Sequence, residues 1–402
     1  MRKPYEKILR SVQSTLLSPF EEGMSPEQIK QTVIYILTPY FTNLEILHEL
    51  AAGVLVTEAV NVAKINNDPW ARDMFAKVLC SYQTAYTSHK ELCLQGCAES
   101  QDKILHASSE YVSMLNFSND LTALAELSIE DFSYTVFRNI GSLIEACFQP
   151  YLKELLLQIR ICRGKSNSAH GLEKLKLGSV VDELFNTSGY GELFAPSPWH
   201  IKLHQWRNIS QHHNTFISES KINVNYEVSG SQRSTSFTRE ELLDAFKKTH
   251  LIFSVLRGVR SIFIWNNVQE FEPFFSQETS IRSDVKIFWL ASSLATQGFE
   301  LKDISVSDEL VVAVIKDVTD TPSNEDIKNY KLKRMIHSTQ LIYSIWFYFP
   351  AATIVVEHLD KQDNIRSKFS GRGSACEAIS REEVPLEELI KGLIFCTGRT
   401  IG

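Results

Sequence analysis

The chain has 402 residues, 44% of them hydrophobic and 22% charged, the composition of an ordinary globular protein long enough for two or three compact units. A formal charge of -7 excludes a molecule coated in basic surface, so any nucleic-acid contact is expected to be a local patch. Seven scattered cysteines do not make a secreted disulfide framework, and there is neither a signal-peptide core nor an apolar run of roughly 18 residues, so cytoplasm without membrane attachment is expected.

Residues 1–127 read as a helical N-terminal domain. Ser25, Pro26 and Gln28 in SPEQIKQTVIYIL form a capping box with proline in the first turn, and Asp68-Pro69 repeats the start signal before WARDMFAKVL. The apolar stretch Leu50 to Ala63 reads as one buried core helix. His89, Cys93 and Cys97 recur every four residues, a spacing that suits zinc ligands on one helix face. No fourth ligand stands nearby and small thiols pack well in helical cores, so no metal is expected.

Residues 128–265 read as a helical bundle. Phe132, Val136, Leu143, Ile144 and Phe148 share a long helix that Pro150 should break or kink, with LKELLLQIRI beyond it. GLEKLKLGSVVDELF reads as a further helix. Ser197 and Pro198 then read as the start of a helix running through WRNISQHH, residues 206 to 213. KINVNYEV, SGSQ and RSTSF read as a β-hairpin, and Thr238 with Glu241 caps the last helix of the bundle.

Residues 266–402 read as a small α+β domain. A helix ends near Gly298, FELKDISV pairs with ELVVAVIKDV, a helix from Pro322 to about Trp346 follows, and ATIVVEHLD pairs with NIRSKFS before a last helix near Pro385. The short connections within each strand pair make the pairing mainly antiparallel. The fold class is therefore mainly α: a helical N-terminal region, a helical bundle carrying a β-hairpin, and a C-terminal α+β domain.

The chemistry concentrates in WRNISQHH. Asn208 and His212 are four apart and share a helical face, so the amide can hold one imidazole nitrogen and fix the tautomer. Arg207 lies roughly 140° from His212 around the axis, near enough for its long side chain to reach a phosphate beside the imidazole. Two such helices would bring two guanidiniums to one phosphodiester, while one imidazole takes the 2′-OH proton and the other protonates the leaving 5′ oxygen. Between Ala195 and Trp265, nine Lys or Arg stand against five Asp or Glu, a net of +4, together with five of the eleven histidines. His213 and His204 are secondary candidates for substrate binding, against the plainer readings that His213 ends the helix and His204 is a surface histidine. Trp206 shares the stripe of Leu203 and Ile209 and is read as core.

Arg207, Asn208 and His212, set as Arg, a polar residue, three others and His late in a helical bundle, resemble the signature of the HEPN superfamily. The resemblance covers residues 128 to 265. It implies a metal-independent endoribonuclease without cofactor, active as a homodimer on RNA in toxin–antitoxin or antiviral (abortive infection) systems, with an antitoxin or sensor protein as a further partner. The tyrosine that some relatives carry two residues after the histidine is replaced by Asn214. Some members of the superfamily keep the fold without catalysis, so a silent nucleic-acid- or nucleotide-binding module is the alternative. No Walker loop, GxSxG elbow or HExxH pair occurs; RGVR and SGRGS are read as lacking a strand-to-helix setting.

Overall fold

The computed structural model describes residues 24–118, 126–165, 169–212, 215–228, 230–271, 283–320, 326–385 and 387–395, with a few isolated positions between them. Ser25 and Gln28 exchange the two capping-box hydrogen bonds that open α1 (Pro26–Leu37). The apolar stretch from Leu50 to Ala63 is not one helix. A turn around Gly53 separates α2 (Leu44–Leu50) from α3 (Leu55–Asn66). Asp68 accepts from the Ala71 amide to start α4 (Pro69–Ser88), which is followed by α5 (Lys90–Ser118).

Pro150 does not break its rod. α6 (Ile129–Ser142) runs through a π-helical turn, Leu143–Phe148, into α7 (Gln149–Cys162), with the proline in the first turn of α7. A proline cannot donate to the carbonyl four residues back, and the wider turn ahead of it absorbs the mismatch. GLEKLKLGSVVDELF divides into α8 (Ala169–Glu173) and α9 (Leu177–Thr187), because Lys176 is extended with ψ 149.

α10 (Leu203–His212) begins later than Pro198. His200 takes φ 52, a left-handed conformation that cannot propagate a right-handed helix, and the Gln205 side chain then accepts from the Lys202 amide at the true start. Beyond it, β1 (Thr215–Ser218), β2 (Lys221–Val228) and β3 (Ser231–Phe237) form an antiparallel sheet in that order. The β2–β3 hairpin follows the sequence pattern; β1 adds a strand that the pattern did not show. Glu219 and Ser220 turn β1 into β2 with φ of 50 and 60. Thr238 and Glu241 then cap α11 (Arg239–Asn266), and α12 (Val268–Phe271) follows.

Pro39–Ile46 and Asn61–Ile281 make one compact unit, so the expected boundary after residue 127 does not follow the packing. The helices on either side of it share a core. The Tyr82 hydroxyl of α4 donates to Glu154 of α7 at 2.9 Å. Arg260 of α11 donates from Nε to both Glu154 oxygens, at 3.0 and 2.9 Å, and from Nη2 to the Cys97 carbonyl and Gln101 of α5. Cys93 and Cys97 are fully buried beside this network.

The described residues of Met1–Thr38, Leu47–Val60 and Arg282–Gly402 make the other unit. Its elements are α13 (Ser283–Ala295), β4 (Phe299–Val306), β5 (Leu310–Asp317), α14 (Ile327–Tyr348), β6 (Thr353–Leu359), β7 (Ile365–Arg372), α15 (Gly373–Ser380), α16 (Glu387–Lys391) and β8 (Ile394–Phe395), together with α1. The strands form one sheet in the order β4-β5-β6-β7-β8. β4–β5 and β6–β7 are antiparallel as their short connections require, whereas β5–β6 is parallel because α14 carries the chain across. The expected start of α14 at Pro322 lies outside the described residues; the helix follows the Asp326 cap.

Alternate residues Val311, Ala313, Ile315, Ile354, Val356 and Phe369 are buried, with α13 packed on β4 and α14 on β6. Arg334 of α14 is held there by both Asp317 oxygens and lies 3.8 Å from the centre of the Phe299 ring. The chain is thus mainly helical with two small sheets. No single helix among the described residues is long and apolar enough to cross a membrane.

Candidate functional site

α10 is anchored through one face. Leu203, Trp206 and Ile209 are fully buried, and Trp206 sits among the rings of Phe137, Trp199 and Phe237 at centroid distances of 6.3, 6.2 and 5.5 Å. Trp206 is a core residue, as its stripe predicted. The crossing with α6 is close because Gly141 has no side chain: a Cβ there would lie 2.6 Å from the Ser210 Cβ and nearer still to its Oγ.

Gly141→Ala is therefore expected to destabilise the chain by about 1–3 kcal/mol, and Ser210→Gly in the same chain to recover much of the loss. Thermal melts of the three proteins check it.

The other face of α10 carries the polar motif. The Arg207 side chain is 31% exposed, and its Nε donates to Glu145 Oε2 at 2.6 Å across to the π-helical turn. Its Nη1 lies 3.4 Å from Asn208 Oδ1, so the guanidinium and the amide meet. His212 closes the helix one turn after Asn208. His213 lies outside the described residues.

His204 is placed differently from its expected role beside Arg207. Its ring packs against Gly178 of α9, and its buried Nδ1 has no hydrogen-bond partner. Burial lowers its pKa, so it is neutral at pH 7 and brings no positive charge to a phosphate.

Lys221 on β2 and Arg233 on β3 stand exposed, but most of the local basic excess is engaged within the fold. Arg260 is buried on Glu154, and Lys202, Arg207, Lys247 and Lys248 are paired with Asp182, Glu145, Asp244 and Asp68. Arg239 donates to the Leu127 carbonyl and covers the Phe132 ring, stapling the start of α6. These six side chains are engaged within the unit, and Arg207 is the one that belongs to the motif, beside Asn208.

Next to Arg207 and Asn208 an open cleft of about 660 Å³ lies between α6, the π-helical turn, α10 and α5. Tyr134, Arg138, Ser142 and Glu145 line it from one side, Ser210, Gln211 and Thr215 from the other, and Glu110 from α5. Sequence reasoning missed Glu145, Arg138 and Tyr134. No local signal marks Glu145, which stands 62 residues before its partner; only the helical spacing of 134, 138, 142 and 145 hints that they share a face.

SGRGS does lie between a strand and a helix, from the end of β7 into α15, contrary to its expected setting. The Gly373 amide is already bonded to the Ala352 carbonyl, and a Cβ there would strike the Ala351 carbonyl. The glycine serves chain packing. Comparison with protein-family models, with curated proteins and with solved structures finds no match to the chain.

Proposed function

We propose that the chain is a metal-independent endoribonuclease of toxin-like or antiviral type, working as a homodimer on RNA, with Arg207 and His212 as catalytic residues and Asn208 as the residue that orients His212. The supporting observation is the division of labour on α10. Leu203, Trp206 and Ile209 carry its packing, while Arg207 and Asn208 touch each other on the solvent side, beside a cleft. Among the described residues, Glu145 is the side chain outside α10 that engages Arg207.

The chemistry follows from those side chains. A guanidinium holds a phosphodiester oxygen and stabilises the charge that builds on it; an imidazole takes the 2′-OH proton, and the imidazolium of a second copy protonates the departing 5′ oxygen. The P–O5′ bond breaks as the O2′–P bond forms, leaving a 2′,3′-cyclic phosphate. The full chain should therefore cut single-stranded RNA in EDTA, leave cyclic-phosphate ends and spare 2′-O-methyl RNA. Cleavage of the methylated strand, or no cleavage of any RNA across a range of sequences, would reject the assignment.

The Glu145–Arg207 pair favours a second reading, a silent binding module in which the guanidinium is structural. One variant separates the two. A half-exposed pair contributes at most about 1 kcal/mol, so Glu145→Gln should raise RNA cleavage about two- to fivefold by freeing Arg207 for phosphate. A silent module shows no cleavage to raise.

A further inference from the structure

Arg138 differs from the basic residues around it. It is exposed, on the cleft side of α6, and among the described residues it has no ion-pair partner. Four residues earlier, one turn along the same face, Tyr134 presents its ring 53% exposed. Four residues and then seven further on, Ser142 and Glu145 continue the line, and Glu145 holds Arg207. An aromatic plane, an unpaired guanidinium, a hydroxyl and the carboxylate that holds the motif arginine thus follow one another along one side of the cleft.

The contents of the cleft restrict its ligand. Its volume falls in the range of about 300–1,000 Å³ that takes a small-molecule-sized group, which suits one or two nucleotide units and excludes a duplex. Glu110 and Glu145 stand in the same lining. Their charge disfavours an acidic peptide or a polyphosphate, yet tolerates a ligand with one negative charge per repeat and a flat apolar face. Glu110 and Gln211 can meet the hydrogen-bonding edge of a base, and Arg138 lies about 6 Å along the axis from Tyr134, in step with a base and the phosphate next to it.

We infer that this cleft is a binding track for single-stranded RNA, in which Tyr134 stacks a base and Arg138 contacts the adjoining phosphate, delivering the strand to Arg207. The inference rests on the ribonuclease reading for its ligand class. It differs from that reading in assigning Tyr134 and Arg138, which take no part in the bond-breaking step.

The test is fluorescence anisotropy of a fluorescein-labelled single-stranded RNA decamer with the full-length chain, in a His212→Ala background so that the probe survives. Tyr134→Ala should weaken binding about five- to a hundredfold, and Tyr134→Phe should bind within about twofold of the parent, because stacking needs the ring and not the hydroxyl. Arg138→Ala should weaken binding and reduce the slope of log Kd against log salt by about 0.7, the loss of one phosphate contact on a single strand. Arg381→Ala, at an exposed arginine that follows the end of α15 in the other compact unit, should leave both unchanged.

Unaltered binding and slope in Tyr134→Ala and Arg138→Ala, or no binding of the decamer by the parent, would overturn the track. Cleavage is read separately on chains that keep His212. A chain that cuts RNA while these variants bind normally would lose the track and keep the nuclease; one that binds through Tyr134 and Arg138 and never cuts would keep the track and lose the nuclease. Unchanged melting temperatures of the two exposed-site variants separate binding loss from misfolding.

Discussion

Arg260→Leu is expected to cost about 3–5 kcal/mol of stability, the penalty for leaving a buried charge without its partner. Glu154 is 1% exposed, and after the substitution its carboxylate would keep only the Tyr82 hydroxyl. The Cys97 carbonyl would lose its second donor and the Gln101 side chain its guanidinium partner as well. Burial and the Glu154 carboxylate hold the Tyr82 phenol well above its ordinary pKa, so it stays protonated and keeps donating its hydrogen bond, but it brings no positive charge to replace the guanidinium.

The same physics predicts a rescue. Arg260→Leu combined with Glu154→Leu and Tyr82→Phe removes both charges and the hydroxyl that would lack an acceptor, and most of the lost stability should return, because an apolar filling avoids desolvating two ions. Lys103→Ala, which breaks a pair with Glu173 at the surface, should shift stability by less than about 1 kcal/mol. Urea midpoints followed by circular dichroism check the series. A single variant no worse than Lys103→Ala would mean that the network does not hold α4, α5, α7 and α11 together.

Arg260 also shows where the sequence stops informing. As a letter it counted toward a basic patch around WRNISQHH; in the fold it is a core residue, because its partner Glu154 stands 106 positions away. Short-range chemistry could be read directly. The caps at Ser25, Asp68 and Thr238, the β2–β3 hairpin and the burial of Trp206 each depend on residues within a turn or two of one another. The parallel β5–β6 pairing, the common core of helices before and after residue 127, and the Glu145 contact of Arg207 are long-range facts that no local pattern encodes. Two local misreadings have local causes. His200 adopts a left-handed backbone that a histidine gives no sign of, and Pro150 is tolerated because a π-helical turn precedes it.

Loss of His212 should abolish what Arg207 and Asn208 prepare. If imidazole moves the protons, His212→Ala is expected to cut the cleavage rate about 10²–10⁴-fold while leaving RNA binding nearly intact. The wild-type rate should describe a bell in pH around the imidazole range, since one copy must be neutral and the other protonated, and the residual rate of His212→Ala should lose that shape. Arg207→Lys should not restore the rate of Arg207→Ala, because an ammonium lacks the fork that holds two phosphate oxygens. Asn208→Ala should cost less than either, with a shifted pH profile, if the amide acts by positioning the imidazole.

The proposed homodimer makes a further demand. If two copies build one site, mixing Arg207→Ala with His212→Ala and allowing subunits to exchange gives a heterodimer with one intact arginine and one intact histidine on different copies, which should exceed both parents yet stay well below wild type, because its single imidazole serves as base or as acid but not as both. If each copy acts alone, every subunit in the mixture is defective and nothing returns. Single-turnover cleavage of the mixture against each parent decides between them, and a wild-type rate in His212→Ala would remove the imidazole from the chemistry altogether.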